Sequence, residues 1–536
     1  MIRIGQLKLH PNHSEQELLQ KIAKTLRIPE QEILRFQIRK QSIDARKKPQ
    51  IQYVYTVDVE VKNEKQILKR QKGSQISIAG ETLYQFPMTG TKRLDYRPVI
   101  IGSGPAGLFC AYLLAEHGFC PVVYERGASV EERTADIETF WTTGVLKPDS
   151  NVQFGEGGAG TFSDGKLNTL VKDADGRNRK VLEIFVENGA PEEILYQAKP
   201  HIGTDILTDV VRNMRNRIIQ WGGEVHFHSR LMDFKLEHGE LNSITIVKEG
   251  EKKTIPAKHL ILAIGHSARD TFELLYKKQI PMCAKAFAVG VRVEHPQAVI
   301  NASQYGEHPP YVLPNASYKV TANLKNGRGV YSFCMCPGGY VVNASSEEGM
   351  LAINGMSYHA RDGKNANSAV IVTVTPEDFG SDHPLAGMYF QRMLEKKAYE
   401  VGGGCVPVQR FADFCENHVT KKLGTITPQI KGAYQLANVR AIFPEEIAKS
   451  IEDGIKSFDR QIQGFANPDV ILSGVESRTS SPIRIPRNDA MQVEKTGIYP
   501  CGEGAGFAGG ITSAAMDGIR TAESISKNFV PFDKRL

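Results

Sequence analysis

The first 90 residues alternate apolar and polar positions in a way that predicts a small α+β domain. Residues 2–9, 34–43 and 52–61 follow the two-residue period of half-buried strands. Between the first two strands, Ser14 and Glu17 have the spacing of a capping box, which predicts a helix from there to about residue 26.

A different pattern begins at residue 99, where a short apolar run predicts a buried strand. The run leads into Gly102, Gly104 and Gly107 in a G-x-G-x-x-G spacing, and an apolar helix follows. A second apolar strand then ends at Glu125, about 20 residues beyond the glycines. The strand, glycines, helix, strand and acid together are typical of a dinucleotide site.

These residues have distinct expected roles at a dinucleotide. Gly102 permits the tight turn, Gly104 lets the backbone approach a pyrophosphate, and Gly107 lets the helix pack closely on its strand. The free N–H groups at the helix start attract anionic phosphate. Glu125 is expected to accept the hydroxyls of an adenosine ribose. Four neighbours complete the expected cofactor contacts: Ser103, Pro105, Ala106 and Arg126.

A second glycine-rich segment follows at residues 154–167. It repeats the G-x-G-x-x-G spacing, but no apolar strand precedes it and no acid-ended strand follows it, so a second dinucleotide domain is not supported. Such dense glycine favours backbone lying against a flat ligand. The expected contacts here are Gly157, Gly158, Gly160 and Ser163 to the cofactor, with Asp164 and Lys166 as the polar groups nearest to the ligand.

Strands are expected around residues 225–228 and 244–247. A buried strand over residues 259–265 then ends at Gly265, where the chain is expected to leave the nucleotide domain past its cofactor. From about residue 276, alternating segments predict a largely antiparallel sheet, followed by a helical part best seen at 444–456. Polar clusters around Arg361 and Arg478 are candidates for holding an anionic substrate, because arginine binds carboxylate or phosphate in bidentate fashion. The alternative is that both arginines form ordinary ion pairs.

The C-terminal segment predicts a strand–acid–helix unit that returns to the first sheet. A short strand leads to Gly502 and Glu503, and a small-residue helix begins after Gly509 and Gly510, at Ile511. The acid would bind a ribityl or pyrophosphate hydroxyl. The helix start would face the pyrimidine edge of an isoalloxazine and stabilise negative charge on reduction.

Composition limits the class of protein. The chain has 536 residues, 41% hydrophobic and 24% charged, which predicts a soluble protein of two or three domains. No run approaches the roughly 18 apolar residues of a membrane span, and the N-terminus lacks the features of a signal peptide. Eight cysteines in so long a chain suggest free thiols in a reducing compartment, so the expected location is cytoplasmic.

The positive charge is concentrated at the N-terminus. Residues 1–97 carry 19 lysines and arginines against 10 acidic residues, whereas the rest of the chain has 47 against 50. The cations around 35–48 are therefore where a nucleic acid or acidic partner would bind. The favoured interpretation is a solvated hairpin, because charge runs usually serve no other purpose.

Cys334 and Cys336 form a C-x-C pair that raises the question of redox or metal chemistry. The spacing is poor for an unstrained disulfide, and no second Cys/His pair completes a zinc set, so no metal site is predicted. The pair is either a redox dithiol or two ordinary buried thiols.

With these segments in place, the chain from residue 97 onward resembles the glutathione-reductase-type FAD-binding oxidoreductases. More closely, it resembles the bacterial family of uncharacterised FAD-dependent dehydrogenases, often called NAD(P)/FAD-dependent oxidoreductases. The resemblance is carried by residues 158–167, 287–296, 333–339, 476–482 and 502–511. It implies FAD as cofactor. The C-x-x-x-x-C motif and second nucleotide domain of the disulfide-reductase branch are absent from the sequence, so NAD(P)H could bind only transiently as donor.

The sequence thus predicts an α/β fold with three parts. These are a basic α+β domain at 1–90, a discontinuous Rossmann-like FAD-binding domain at 97–275 and 488–536, and an inserted substrate domain at 276–487 with a mixed or antiparallel sheet. The expected function is two-electron flavin redox on a small, unidentified substrate, with Lys166, Asp164, Arg361 and Arg478 as candidate catalytic residues. The alternatives are a flavin-dependent RNA-modifying enzyme and a non-catalytic flavin sensor or assembly factor.

Overall fold

The alternating N-terminal segments form a four-stranded antiparallel sheet with the strand order β2–β3–β1–β4. The capping box is confirmed, because Ser14 Oγ accepts the N–H of Glu17 while the Glu17 carboxylate accepts the N–H of Ser14. Apolar side chains of α1 and the sheet share one buried cluster. The elements are β1 (Ile2–Leu9), α1 (Glu15–Leu26), β2 (Ile33–Asp44), β3 (Gln52–Val61), α2 (Glu64–Arg70) and β4 (Ile76–Ile78).

The computed structural model describes residues 1–70, 75–80, 82–494 and 496–532. After the N-terminal sheet, the short apolar runs form a five-stranded parallel sheet, in which the strands at residues 99–101 and 260–262 are entirely buried. The helices and strands of this part of the chain are β5 (Val99–Ile101), α3 (Pro105–Glu116), β6 (Val122–Tyr124), α4 (Val130–Thr143), α5 (Arg177–Glu187), α6 (Thr204–Gln220), β7 (Glu224–His226), β8 (Ser229–Glu237), β9 (Glu240–Lys248), β10 (Glu251–Pro256), β11 (Leu260–Leu262) and α7 (Arg269–Lys277).

The chain returns to this sheet at its end, as the strand–acid–helix pattern predicts. Strand β24 (Ile498–Pro500) pairs in parallel with β11, which gives the order β24–β11–β5–β6–β7. Helix α13 (Ile511–Ser526) then packs so closely along α3 that a Cβ at Gly518 would lie 2.1 Å from the carbonyl oxygen of Ala106. This contact joins the start of α3 to the middle of α13.

The segment between β7 and β11 differs from its sequence prediction. A strand over 225–228 was expected, but β7 ends at His226 because His228 adopts a left-handed conformation with φ of 52°. Strands β8, β9 and β10 then form a separate antiparallel meander, of which the sequence pattern indicated only the part within β9.

The inserted segment forms a seven-stranded mixed sheet, in which β19 and β21 pair in parallel and the other pairs are antiparallel. A small sheet of β17, β16 and β20 accompanies it. The elements are β12 (Cys283–Ala284), β13 (Phe287–Pro296), α8 (Gln297–Tyr305), β14 (Thr321–Asn323), β15 (Gly329–Cys336), β16 (Tyr340–Asn343), β17 (Ile353–Met356), β18 (Asn365–Val374), α9 (Pro376–Phe379), α10 (Ala386–Val401), β19 (Val406–Arg410), α11 (Phe411–Cys415), β20 (Ile430–Lys431), β21 (Tyr434–Leu436), α12 (Glu445–Phe458), β22 (Ile471–Glu476) and β23 (Ile483–Arg484).

The predicted fold class, with a Rossmann-like sheet and a mixed-sheet insertion, is confirmed. The chain passes from the parallel sheet to the inserted sheet and later returns. The two connecting segments are paired, since β12 on the outgoing chain pairs with β23 on the returning chain. Among the described helices, none has the length and apolar character needed to cross a membrane.

Candidate active site

A cavity of about 310 Å³ opens where the parallel sheet meets the inserted sheet. Its walls come from the turn before α3, the loop after β6, the glycine-rich loop and the turn before α13, with ends of β15, β17 and β22 closing one side. The predicted cofactor residues in its lining are Gly102, Gly104, Pro105, Ala106, Glu125, Arg126, Gly158, Gly160, Ser163, Gly265, Glu503, Gly509, Gly510 and Ile511. The predicted catalytic residues in its lining are Asp164, Lys166 and Arg478.

Five predicted residues lie outside that lining: Ser103, Gly107, Gly157, Gly502 and Arg361. The three glycines among them serve close packing instead. A Cβ at Gly107 would lie 1.9 Å from the carbonyl oxygen of Gly102, one at Gly157 would lie 2.0 Å from Thr161 Oγ1, and one at Gly502 would lie 2.6 Å from the Cβ of Ala106. For Gly107 this is the expected helix–strand contact, whereas Gly157 and Gly502 were expected to touch the cofactor.

Glu125 organises the turns at the first glycine motif. One carboxylate oxygen accepts the N–H and the hydroxyl of Ser103, at 2.8 and 2.9 Å. The other accepts the N–H groups of Gly127 and Gly155, at 3.0 and 3.1 Å. The side chain is buried and lies in the cavity wall. Its four acceptor positions therefore have protein donors, so the carboxylate fixes the loops around the cavity.

The glycine-rich loop is held from behind by Arg133, which the sequence analysis missed. This guanidinium is fully buried and donates to the carbonyl oxygens of Asn151, Val152, Glu156 and Gly158. Burial lowers its pKa to about 10. Nothing in the sequence marked it, since it is one arginine in a charged helical stretch.

Three glycines of the lining border open space, as a site for a flat dinucleotide requires. A Cβ added at Gly265, Gly509 or Gly510 would meet no protein atom within 4 Å, so side chains there would fill the cavity itself. Gly510 is also the residue before the first turn of α13, a sixteen-residue helix whose N-terminal N–H groups are available to anionic groups. The backbone cradle, the helix starts of α3 and α13 and the acid Glu503 fit FAD.

Asp164, Lys166 and Arg361 form one charged cluster at the edge of the cavity. Asp164 is buried, and both its carboxylate oxygens accept hydrogen bonds from Arg361. Lys166 Nζ lies 3.1 Å from this carboxylate, and Ser357 donates a 2.5 Å hydrogen bond to it. Burial would raise the pKa of Asp164, but Lys166 and Arg361 hold it below its usual range. Arg361 is thus partnered by an internal carboxylate and lies outside the cavity lining, contrary to its expected role at a substrate.

Arg478 has an internal partner as well. Glu395, fully buried on α10, makes two hydrogen bonds with Arg478, at 2.9 and 2.8 Å, and two with Arg269, at 2.7 and 2.9 Å. The two arginines hold the pKa of Glu395 well below its usual range against the effect of burial. Arg478 faces the cavity, but its charge is already compensated by Glu395.

Other lining residues were not among the predicted site residues, namely Phe154, His266, Phe333, Cys334, Asn354, Glu476 and Thr479. Cys334, Glu476 and Thr479 lie in motifs that carry the family resemblance, and this was the available signal. His266 directly follows Gly265, at the end of the predicted buried strand. Burial, together with Arg478 and Arg269, lowers the pKa of His266 to about 3, so its imidazole is neutral at physiological pH.

The basic hairpin of the N-terminal sheet is charge-compensated on its own strands. Arg35 pairs with Glu60, Arg39 with Asp58, and Arg46 with Asp44. At the hairpin tip, Lys48 Nζ donates to the carbonyl oxygen of Ser303 in the inserted region. Each of these four cations therefore has a partner within the chain.

A relative and three family models match the chain. The chain is 48% identical over 535 residues to an uncharacterised protein from Clostridium beijerinckii, with 98% of this chain and 99% of the relative covered. Residues 286–479 match the model of the C-terminal domain of FAD-dependent proteins, residues 100–140 match an NAD(P)-binding Rossmann-like domain, and residues 1–60 match a domain of unknown function. The chain belongs to this family of FAD-dependent proteins.

Solved structures also match the chain, at low identity and low TM-score. A glycine oxidase from Bacillus cereus matches with 11% identity and a TM-score of 0.32, covering 80% of this chain and 95% of that one. E. coli quinol fumarate reductase matches with 10% identity and a TM-score of 0.37, covering 82% of this chain and 70% of that one.

Proposed function

We propose that this FAD-dependent protein is an oxidoreductase that exchanges two electrons between FAD and a small substrate. The observation that carries the proposal is that one cavity joins the dinucleotide motif to the polar strand ends of the inserted sheet. A cofactor bound along the glycines would therefore extend toward side chains of a second sheet. Such an arrangement provides room for a substrate beside the cofactor.

The residues divide between the two halves of the cofactor. The turn at Gly102 and Gly104, the start of α3 and the loops fixed by Glu125 would hold the ADP half. Gly158, Gly160 and the start of α13 would hold the flavin half. Bound FAD would supply two-electron chemistry at flavin N5, and the protein would supply orientation and electrostatics.

Glu503 is an acid of the cavity lining, in the segment before α13. Burial raises its pKa to about 7, while Lys285 opposes the rise. In the proposed complex this carboxyl group contacts a cofactor hydroxyl, and in its neutral form it can donate a hydrogen bond. The acid therefore favours a polyol chain over a phosphate as its neighbour.

The substrate end of the cavity carries both signs of charge. Lys166, Asp164, Glu476 and Arg478 lie there, and each has an oppositely charged protein partner. A substrate with a large net charge would have to displace one of these partners. A small neutral or zwitterionic substrate therefore suits the cavity better than the strongly anionic one expected from the arginines.

The test is the visible spectrum of the purified protein after reconstitution with FAD, before and after anaerobic addition of NADH or NADPH. We expect a stable yellow complex with FAD in a 1:1 ratio that bleaches with a nicotinamide or with an oxidisable substrate and recovers with an acceptor. Failure to retain FAD, or bound FAD that no donor reduces, would overturn the proposal. Rapid bleaching by one nicotinamide alone would identify the donor.

A further inference from the structure

Strand β15 ends in a distortion that brings two thiols together. Its pairing with β18 shifts register between Phe333 and Cys336, and Cys334 within the shift adopts a left-handed conformation with φ of 43°. The Cys336 thiol donates a hydrogen bond to the Cys334 carbonyl oxygen at 3.3 Å. The bulge therefore departs from the regular strand geometry in which C-x-C spacing is poor for a disulfide.

The two thiols differ in their access to the cavity. Cys334 lies in the lining beside Phe333, whereas Cys336 is fully buried behind it. One sulfur can thus meet a cofactor or substrate, while the other can reach only its neighbour. This is the division between an attacking and a resolving thiol.

Two cations are fixed at the same turn. Lys166 Nζ donates to the carbonyl oxygen of Met335, the residue between the cysteines. Arg292, fully buried on β13, donates to the Cys334 carbonyl oxygen at 3.1 Å and approaches Cys336 Sγ at 3.8 Å. Both positive charges therefore lie where they stabilise a thiolate.

Carboxyl groups from other elements also face Cys334, namely Asp164, Glu476 and Glu503. Asp164 is paired with Lys166 and Arg361, and Glu476 with Arg292. The Cys336 hydrogen bond, followed by Lys166 and Arg292, holds the pKa of Cys334 below that of an ordinary thiol despite burial. The surroundings as a whole therefore favour the Cys334 thiolate with Cys336 protonated.

From this geometry we propose that Cys334 and Cys336 form a dithiol–disulfide pair that exchanges two electrons with FAD. The proposal rests on the proposed function, since FAD is its oxidant. The Cys334 thiolate and the Cys336 thiol form one S–S bond, and Cys336 releases its proton. Two electrons pass to the flavin, which also takes up that proton and one from solvent, so that thiolate, thiol, oxidised FAD and a proton give disulfide and reduced FAD.

The experiment counts electrons. FAD-loaded protein, oxidised with excess FAD and freed of it, is titrated anaerobically with dithionite, and the thiols are then alkylated and located by mass spectrometry. We expect about twice the electron uptake that the flavin alone requires. The Cys334–Cys336 disulfide should be found before titration and two alkylated thiols after it. Uptake that stops at the flavin, with both thiols free before titration, would overturn the proposal.

Matched variants assign the extra electrons to this pair. Cys334→Ser and Cys336→Ser should each halve the uptake, whereas Cys283→Ser, at an exposed thiol, should leave it unchanged. In the reduced apoprotein at pH 6, Cys334 should react with iodoacetamide roughly tenfold faster than Cys283 in the same sample. This measurement uses the parent protein, so it applies even if a variant fails to fold. Equal rates for the two thiols would contradict a stabilised Cys334 thiolate.

The outcomes also separate this proposal from the proposed function. Protein that binds no FAD, or whose FAD no donor reduces, contradicts the oxidoreductase itself. Protein whose FAD is reduced by a donor, but whose uptake stops at two electrons per chain, contradicts only the thiol pair.

Discussion

Single buried side chains hold the loops of the cavity in place through partners that are distant in the sequence. Glu125 accepts N–H groups of the first glycine turn and of the glycine-rich loop, and Arg133 donates to carbonyl oxygens of the glycine-rich loop. Buried charges of this kind are costly unless every acceptor or donor is satisfied. The arrangement of the cavity therefore depends on a few fully bonded charges.

Replacing Glu125 with glutamine tests this dependence. Whichever way the amide turns, its NH2 group faces backbone N–H donors, because both carboxylate oxygens of Glu125 accept them. We expect a loss of about 1 to 3 kcal/mol in stability and at least roughly tenfold in FAD affinity, measured by urea unfolding and fluorescence titration. The control is Glu132→Gln, an exposed partner of His228, which should change neither.

Glu294 gives a pH-dependent prediction. Its carboxyl group is fully buried on β13, one oxygen accepts from Asn365 and Gln429, and the other has no partner among the described residues. Burial raises its pKa to about 7. Because the folded state binds this proton more tightly than the unfolded state, the stability it contributes is present below about pH 4.5 and is lost as pH rises through 7.

Glu294→Gln should remove this part of the pH dependence. We expect the variant to match the parent protein at pH 5 and to exceed it by about 1 to 3 kcal/mol at pH 8 in urea unfolding. Glu240→Gln, at an exposed position, should follow the parent protein at both pH values. A Glu294→Gln curve parallel to that of the parent protein would show that Glu294 is ionised throughout.

At the scale of elements, glycines in similar motifs have different structural roles. Gly107 allows α3 to contact the strand turn, and Gly518 allows α13 to contact α3. Gly509 and Gly510 instead border open space at the start of α13. The sequence showed where glycines cluster, but a motif cannot tell which of them faces a ligand, because that depends on which helix packs behind it. Gly157 and Gly502, expected to touch the cofactor, lie outside the cavity lining.

Two alanine substitutions separate these roles. Gly510→Ala adds a methyl group to open space on an extended backbone, so stability should stay within about 0.5 kcal/mol while FAD affinity falls at least roughly tenfold. Gly107→Ala places its methyl group against a backbone oxygen and should destabilise the protein by about 2 kcal/mol or more. Urea unfolding of the apoprotein and FAD titration distinguish the two effects. Equal loss of stability in both variants would contradict the assignment.

For the whole molecule, the sequence predicted the order of the parts better than their contacts. Periodicity located the strands of the N-terminal sheet and the long strands of the insertion, and the strand–acid–helix pattern predicted the return of β24 to the first sheet. The partners of Arg361 and Arg478 could not be predicted in this way. Asp164 and Glu395 lie 197 and 83 residues from them in the chain, and no periodic signal connects such pairs.

The triad of Arg269, Glu395 and Arg478 is a buried link between the regions of the two sheets, since Arg269 belongs to α7 and Glu395 to α10 of the insertion. Glu395→Gln would leave two buried guanidinium groups facing a neutral amide. We therefore expect a loss of about 3 to 5 kcal/mol in urea unfolding, together with weaker FAD binding because Arg478 lines the cavity. Glu400→Gln, one turn further along α10 in an exposed pair with Lys396, should cost less than about 0.5 kcal/mol. If Glu395→Gln were as stable as that control, the charges of the triad would not contribute to joining the two regions.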